Sequence, residues 1–177
     1  LTELSSFIND KARQMLDEGT LSLDTLDSTG GESLPLLEAA APRLLKALRA
    51  KQVSGVFLIL NTHDFTGRTS GDPEAAPSAD NSDVMFERAP AELVQAFGIT
   101  TDKAWTPAQQ YLDVEEDAFY VRPFQAAYES GEQTGAAADY GRWTTLPYTL
   151  LGDDREAIAY AQPLILDDGT VYGVLGI

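Results

Sequence analysis

Apolar residues open the chain at helical spacing: Leu4, Phe7, Ile8, Met15 and Leu16, with Asn9, Asp10, Lys11 and Arg13 between them. That period predicts an amphipathic helix over residues 2–18, which Gly19 stops. A Ser/Thr/Gly-rich break at 28–33 separates it from a second helix, which begins at Leu34–Pro35 and runs to about Ala50. Leu37, Leu44, Leu45 and Leu48 give this second helix one apolar face. The period then changes. Val53 to Leu60 is a nearly continuous apolar run, too short and too β-branched for a helix, which predicts a central strand covered on both faces.

Beyond it the pattern weakens. Residues 66–83 carry turn chemistry in Gly67, Gly71, Asp72-Pro73 and Pro77 without an apolar period, so they read as a long loop of the kind that is functional or disordered. Short helices are expected at 90–97, 105–111 and 125–130, a strand end at 118–124 and a small-residue loop at 131–141. Strands are expected at 143–148, 157–165 and 170–177, the last two joined by a hairpin through Asp167, Asp168 and Gly169. Helices first and strands last describe an α+β chain with a five- or six-stranded antiparallel sheet ending in a meander. Because the last strand ends on Gly173-Val-Leu-Gly-Ile177 with no polar tail, the natural protein is expected to continue beyond it.

Charge narrows the partners. The formal net charge of -16 and a pI near 4.2 oppose phosphate backbones and anionic headgroups, so nucleic acid is not an expected partner. No stretch reaches the roughly 18 apolar residues of a membrane span, and the first residues lack the basic and apolar regions of a signal peptide. With no cysteine there is no disulfide, thiolate metal site or cysteine nucleophile.

Few residues suggest catalysis or metal binding. His63 is the sole histidine, and without a nucleophile-elbow motif it reads first as a loop residue. Asp80, Asn81, Ser82 and Asp83 offer oxygens but lack the alternating calcium-loop layout, so they read first as a solvated turn. The run Asp113, Glu115, Glu116, Asp117 reads first as a solvated rim, and as a carboxylate pair second. No metal or cofactor is expected. A richer group is Tyr120, Arg122, Phe124, Tyr140, Arg142, Trp143 and Tyr148. An arginine holds a carboxylate bidentately and an aromatic face covers an ammonium or apolar group, a combination suited to a small polar ligand. The structural alternative is that Phe124 and Trp143 are core while Arg122 and Arg142 pair with surface carboxylates.

The segments Tyr120-Val-Arg-Pro-Phe-Gln-Ala-Ala127, Trp143 to Tyr148, Ala157-Ile-Ala-Tyr-Ala-Gln-Pro-Leu164 and Asp168-Gly-Thr-Val-Tyr-Gly-Val-Leu-Gly-Ile177 together resemble the ligand-binding part of Cache sensor domains. The likeness is to the membrane-distal, PAS-like half of double Cache modules, found outside the membrane in bacterial chemoreceptors, histidine kinases and diguanylate cyclases. It implies a PAS-like fold behind a long N-terminal helix, with residues 1–52 as helical region and 53–177 as ligand-binding unit. It further implies a non-enzymatic, extracytoplasmic sensor of a membrane-anchored receptor. The expected ligand is a carboxylate, amino acid or amine held by Tyr120, Arg122, Phe124, Trp143 and Tyr148. In the amino-acid-binding branch the arginine is followed by x-Trp-Tyr, whereas Pro123-Phe124-Gln125 follows it here, so amino-acid specificity is not implied.

The apolar stripe of the first helix also suggests weak homodimerisation through it. A competing reading is a secreted or cytoplasmic hydrolytic enzyme that uses Asp113–Asp117 with His63, and a further one is a ligand-free interaction module.

Overall fold

The computed structural model describes residues 1–26, 33–50, 53–60, 83–87, 103–105, 121–130, 136–149 and 156–177. Helix α1 spans Thr2–Asp17. Its end is fixed by Gly19 at φ 68°, where the Gly19 amide donates to the Leu16 carbonyl at 3.1 Å and the Thr20 amide to that of Met15 at 2.9 Å. These two bonds form the Schellman closure that only a residue tolerant of positive φ allows, as the position of Gly19 predicts.

Helix α2 spans Leu34–Ala50 and buries Leu36, Leu37, Ala40, Leu44 and Leu48. Pro42 lies inside it, so the backbone bond to the Glu38 carbonyl is missing at that turn.

Strand β1 is Gly55–Leu60, β2 Asp83–Glu87 and β3 Lys103–Trp105. Helix α3 is Val121–Ser130, followed by a single 3-10 turn at Ala137–Tyr140. The remaining strands are β4 Arg142–Trp143, β5 Tyr148–Thr149, β6 Glu156–Ala157, β7 Tyr160–Ile165 and β8 Val171–Gly176. Six of them form an antiparallel sheet in the order β3-β2-β1-β8-β7-β4, and β5 and β6 pair separately. The fold is α+β with an antiparallel sheet of the expected size, and β1 lies at its centre beside the C-terminal hairpin.

The continuous apolar runs are explained by burial on both sides. Along β1, Val56, Leu58 and Leu60 enter one cluster with Ile8, Leu36, Leu44 and Leu48 of the helices, while Phe57 and Ile59 enter a second with Phe124 and Ala127 of α3. The β7–β8 turn is the expected Asp-Gly hairpin: Gly169 has φ 87°, its amide donates to the Leu166 carbonyl, and the Thr170 amide donates to Asp168 Oδ1 at 2.9 Å. That donation, with the Thr170 side chain, holds the Asp168 carboxyl below its ordinary pKa.

Several boundaries differ from the sequence reading. Val121 to Phe124, expected as a strand end, is the first turn of α3. Pro123 does not interrupt it, because amides in the first turn of a helix have no carbonyl to reach, and Phe124 and Ala127 then fall on one buried face. Trp105, expected to open a short helix, closes β3 against Met85 of β2. Asp83 belongs to β2 rather than to the preceding loop. The expected helix at 90–97 and the loop at 66–82 lie outside the described residues.

Candidate functional site

Residues 142–149 and 156–160 run antiparallel to each other, with an interruption in their pairing. Arg142 stands opposite Ala161 and Trp143 opposite Tyr160, and the Thr144 amide donates to the Ala159 carbonyl at 2.9 Å. Pairing resumes at Tyr148 opposite Ala157 and Thr149 opposite Glu156. Three residues, Thr145 to Pro147, therefore stand against the single Ile158. Such a bulge bends the ribbon and re-aims its side chains. The expected single strand 143–148 is thus two short strands. Trp143, Leu146 and Ile158 are 58%, 71% and 60% exposed on this ribbon.

Around it, small contacts fix the geometry. Trp143 rests against Tyr160 with ring centroids 5.4 Å apart and planes at 56°. The Tyr160 hydroxyl lies over Gly141, where a Cβ would displace it. Arg142 donates through Nη1 to the carbonyls of Asp139 and Gly141 at 3.0 and 2.9 Å, tying the 3-10 turn to β4. Tyr140 and Ser130 join their hydroxyls at 3.1 Å, which links that turn to the end of α3.

The five residues singled out in the sequence are distributed as follows. Arg122 is exposed on the first turn of α3 and Trp143 is exposed on β4. Phe124 is fully buried under α3 and stacks on Tyr128 at 5.8 Å. Tyr148 lies in β5, across the bulge from Trp143. Tyr120 is outside the described residues, as are His63, Asp80 to Ser82 and Asp113 to Asp117. Helix α3, the 3-10 turn and the β4–β7 edge bring Phe124, Tyr140 and Trp143 onto neighbouring elements, and Phe124 and Tyr140 pack on a sheet face formed by Phe57, Ile59, Ala161 and Val174.

The sequence reading missed Tyr160, the partner of Trp143, and a polar fastening on the opposite side of the sheet. Tyr172 is fully buried among aliphatic residues, and its hydroxyl donates to Asn9 Oδ1 on α1. Burial pushes the Tyr172 phenol well above its ordinary value of 10.0. Asn9 Nδ2 donates in turn to the Ile165 carbonyl at the end of β7, 3.0 Å away. One helical turn on, Arg13 reaches Asp167 of the hairpin at 2.8 Å and Asp10 at 2.6 Å. A tyrosine at an inward position of an otherwise apolar strand was the available signal, because a buried phenol needs a partner.

Among the described residues no group of acidic or histidine side chains could hold a metal ion, and no helix is long and apolar enough to cross a membrane.

No family model and no curated protein matches the chain. Among solved structures, one described as a methyl-accepting chemotaxis protein X superposes with a TM-score of 0.44 at 15% sequence identity. The match covers 98% of this chain and 54% of that one, so the chain spans about half that structure's length. A superposition at that score carries no inference about function.

Proposed function

We propose that the chain is a PAS-like (Cache) sensor module that binds a small molecule on the α3 side of its sheet and passes the event to α1. The observation that carries this reading is the fastening of α1 to the β7–β8 hairpin by Asn9 and Arg13. The same hairpin strands form the floor beneath α3. A ligand that shifts α3 or the β4–β7 edge moves strands to which the N-terminal helix is bonded on the other face. Signalling needs two states that differ in ligand affinity, and α1 is the element whose hold on the hairpin differs between them.

The ligand class is a carboxylate, amino acid or amine, with Arg122, Trp143 and Tyr148 as contacts and Tyr120 and Phe124 as neighbouring wall. The PAS-like assignment is supported by the first and last strands lying side by side at the centre of an antiparallel sheet that helices cover on both faces. The module works outside the membrane, as the sensing part of an anchored receptor whose output lies elsewhere, and performs no chemistry itself.

A melting-temperature screen of organic acids, amino acids and amines tests the reading, since a ligand that binds only the native state raises the transition. At least one class is expected to do so, and Arg122→Ala is expected to weaken that binding by about 1.5 to 3 kcal/mol with the fold retained. No shift from any class, or a shift untouched by changes at Arg122 and Trp143, would overturn it.

A further inference from the structure

The apolar stripe of α1 is not an open surface. Leu1, Leu4, Phe7, Met15 and Leu16 all pack against the helical-side core. Among the described residues, an open groove of about 770 Å³ runs along the outer face of α2, lined by Glu38, Ala41, Pro42, Leu45, Lys46 and Arg49, with Ala41 and Leu45 half-buried against the core at its base. Their spacing of three and four residues puts them on one face.

From this groove we infer that the outer face of α2 is a self-association surface, occupied by the same face of a second copy running antiparallel. The order of charges along this face is self-complementary. A two-fold interface requires a patch that complements itself. With the axis at Pro42, residue 42 faces its own copy and Glu38, four residues before, faces Lys46, four residues after. Each pair forms twice, and Ala41 and Leu45 fill the middle. Within one helix Glu38 and Lys46 are about 12 Å apart along the axis, too far to pair with each other. Neither has an ion-pair partner among the described residues, where the ion pairs belong to Arg13. A chain of net charge -16 also gains by docking through a face that carries Lys46 rather than through its acidic surface. This inference is independent of the sensor reading.

Sedimentation velocity of the 177-residue chain over a concentration series tests it. A weak, reversible dimer is expected. Glu38→Lys and Lys46→Glu should each weaken it by about tenfold, since each turns two attractive contacts into repulsive ones. The double variant, which restores both pairs with reversed polarity, should return to within about threefold of the original. Leu45→Glu should abolish the dimer, and circular dichroism of each variant checks the fold. If Leu45→Glu unfolds, the charge reversal decides alone, because both of its positions are exposed. A monomer up to about 1 mM, a dimer indifferent to the single reversals, or a double variant without rescue would each overturn the inference.

Discussion

The Tyr172 hydroxyl donates a hydrogen bond to Asn9 Oδ1, joining the core of the last strand to the middle of the first helix across 163 positions of sequence. Asn9 is the linchpin, because its other amide atom is bonded to the Ile165 carbonyl at 3.0 Å. Loss of the Asn9 side chain leaves the fully buried phenol without its acceptor, whereas loss of the phenol leaves only a half-buried amide oxygen. Asn9→Ala is therefore expected to cost about 1 to 3 kcal/mol, and Tyr172→Phe less. A double-mutant cycle by urea denaturation should give a coupling of about 1 kcal/mol. Additive losses would mean the bond contributes nothing.

Alkaline pH should expose the same residue. Burial raises the Tyr172 pKa in the folded state above its ordinary value of 10.0. Above that value the unfolded chain releases the phenolic proton while the native chain keeps it, so stability falls as pH rises by up to about 1.4 kcal/mol per pH unit. The contribution is fully present below pH 10 and lost above it. Comparing the pH dependence of urea midpoints between pH 9 and 11 for the natural chain and Tyr172→Phe should show a steeper fall in the former. Parallel curves would contradict the burial argument.

Gly176 pairs with Phe57 across β8 and β1, and a Cβ at Gly176 would overlap the Phe57 ring. That ring is fully buried and cannot swing into solvent. Gly176→Ala should destabilise by about 1 to 3 kcal/mol through overpacking. Phe57→Leu should relieve part of that loss in the double variant, and thermal melts of the four chains measure it.

The sequence made the layers legible and left the joints hidden. Residues 2–18, 34–50 and 53–60 were readable because each buries a face whose period is written in its apolar residues. The C-terminal hairpin was readable because Gly169 must adopt positive φ. The stretch 118–124 misled because the Arg122-Pro123 pair reads as extended chain, whereas a proline in the first turn of a helix gives up no bond. Trp143 to Tyr148 misled because the three-against-one bulge at Ile158 depends on register, which no local pattern encodes. Arg122 and Trp143 could be named as chemically apt, but their exposure and the burial of Phe124 follow from tertiary packing. Asn9 looked like a surface residue of an amphipathic helix and is instead its polar anchor.

Transmission from ligand to α1 is tested most directly by amide hydrogen exchange across residues 2–17, with and without whichever compound of the acid, amino-acid and amine panel raises the melting temperature. Binding should change exchange in α1 although the compound sits across the sheet, and Asn9→Ala should bind the compound yet lose that change. Identical α1 exchange in the free and bound chain would contradict the coupling.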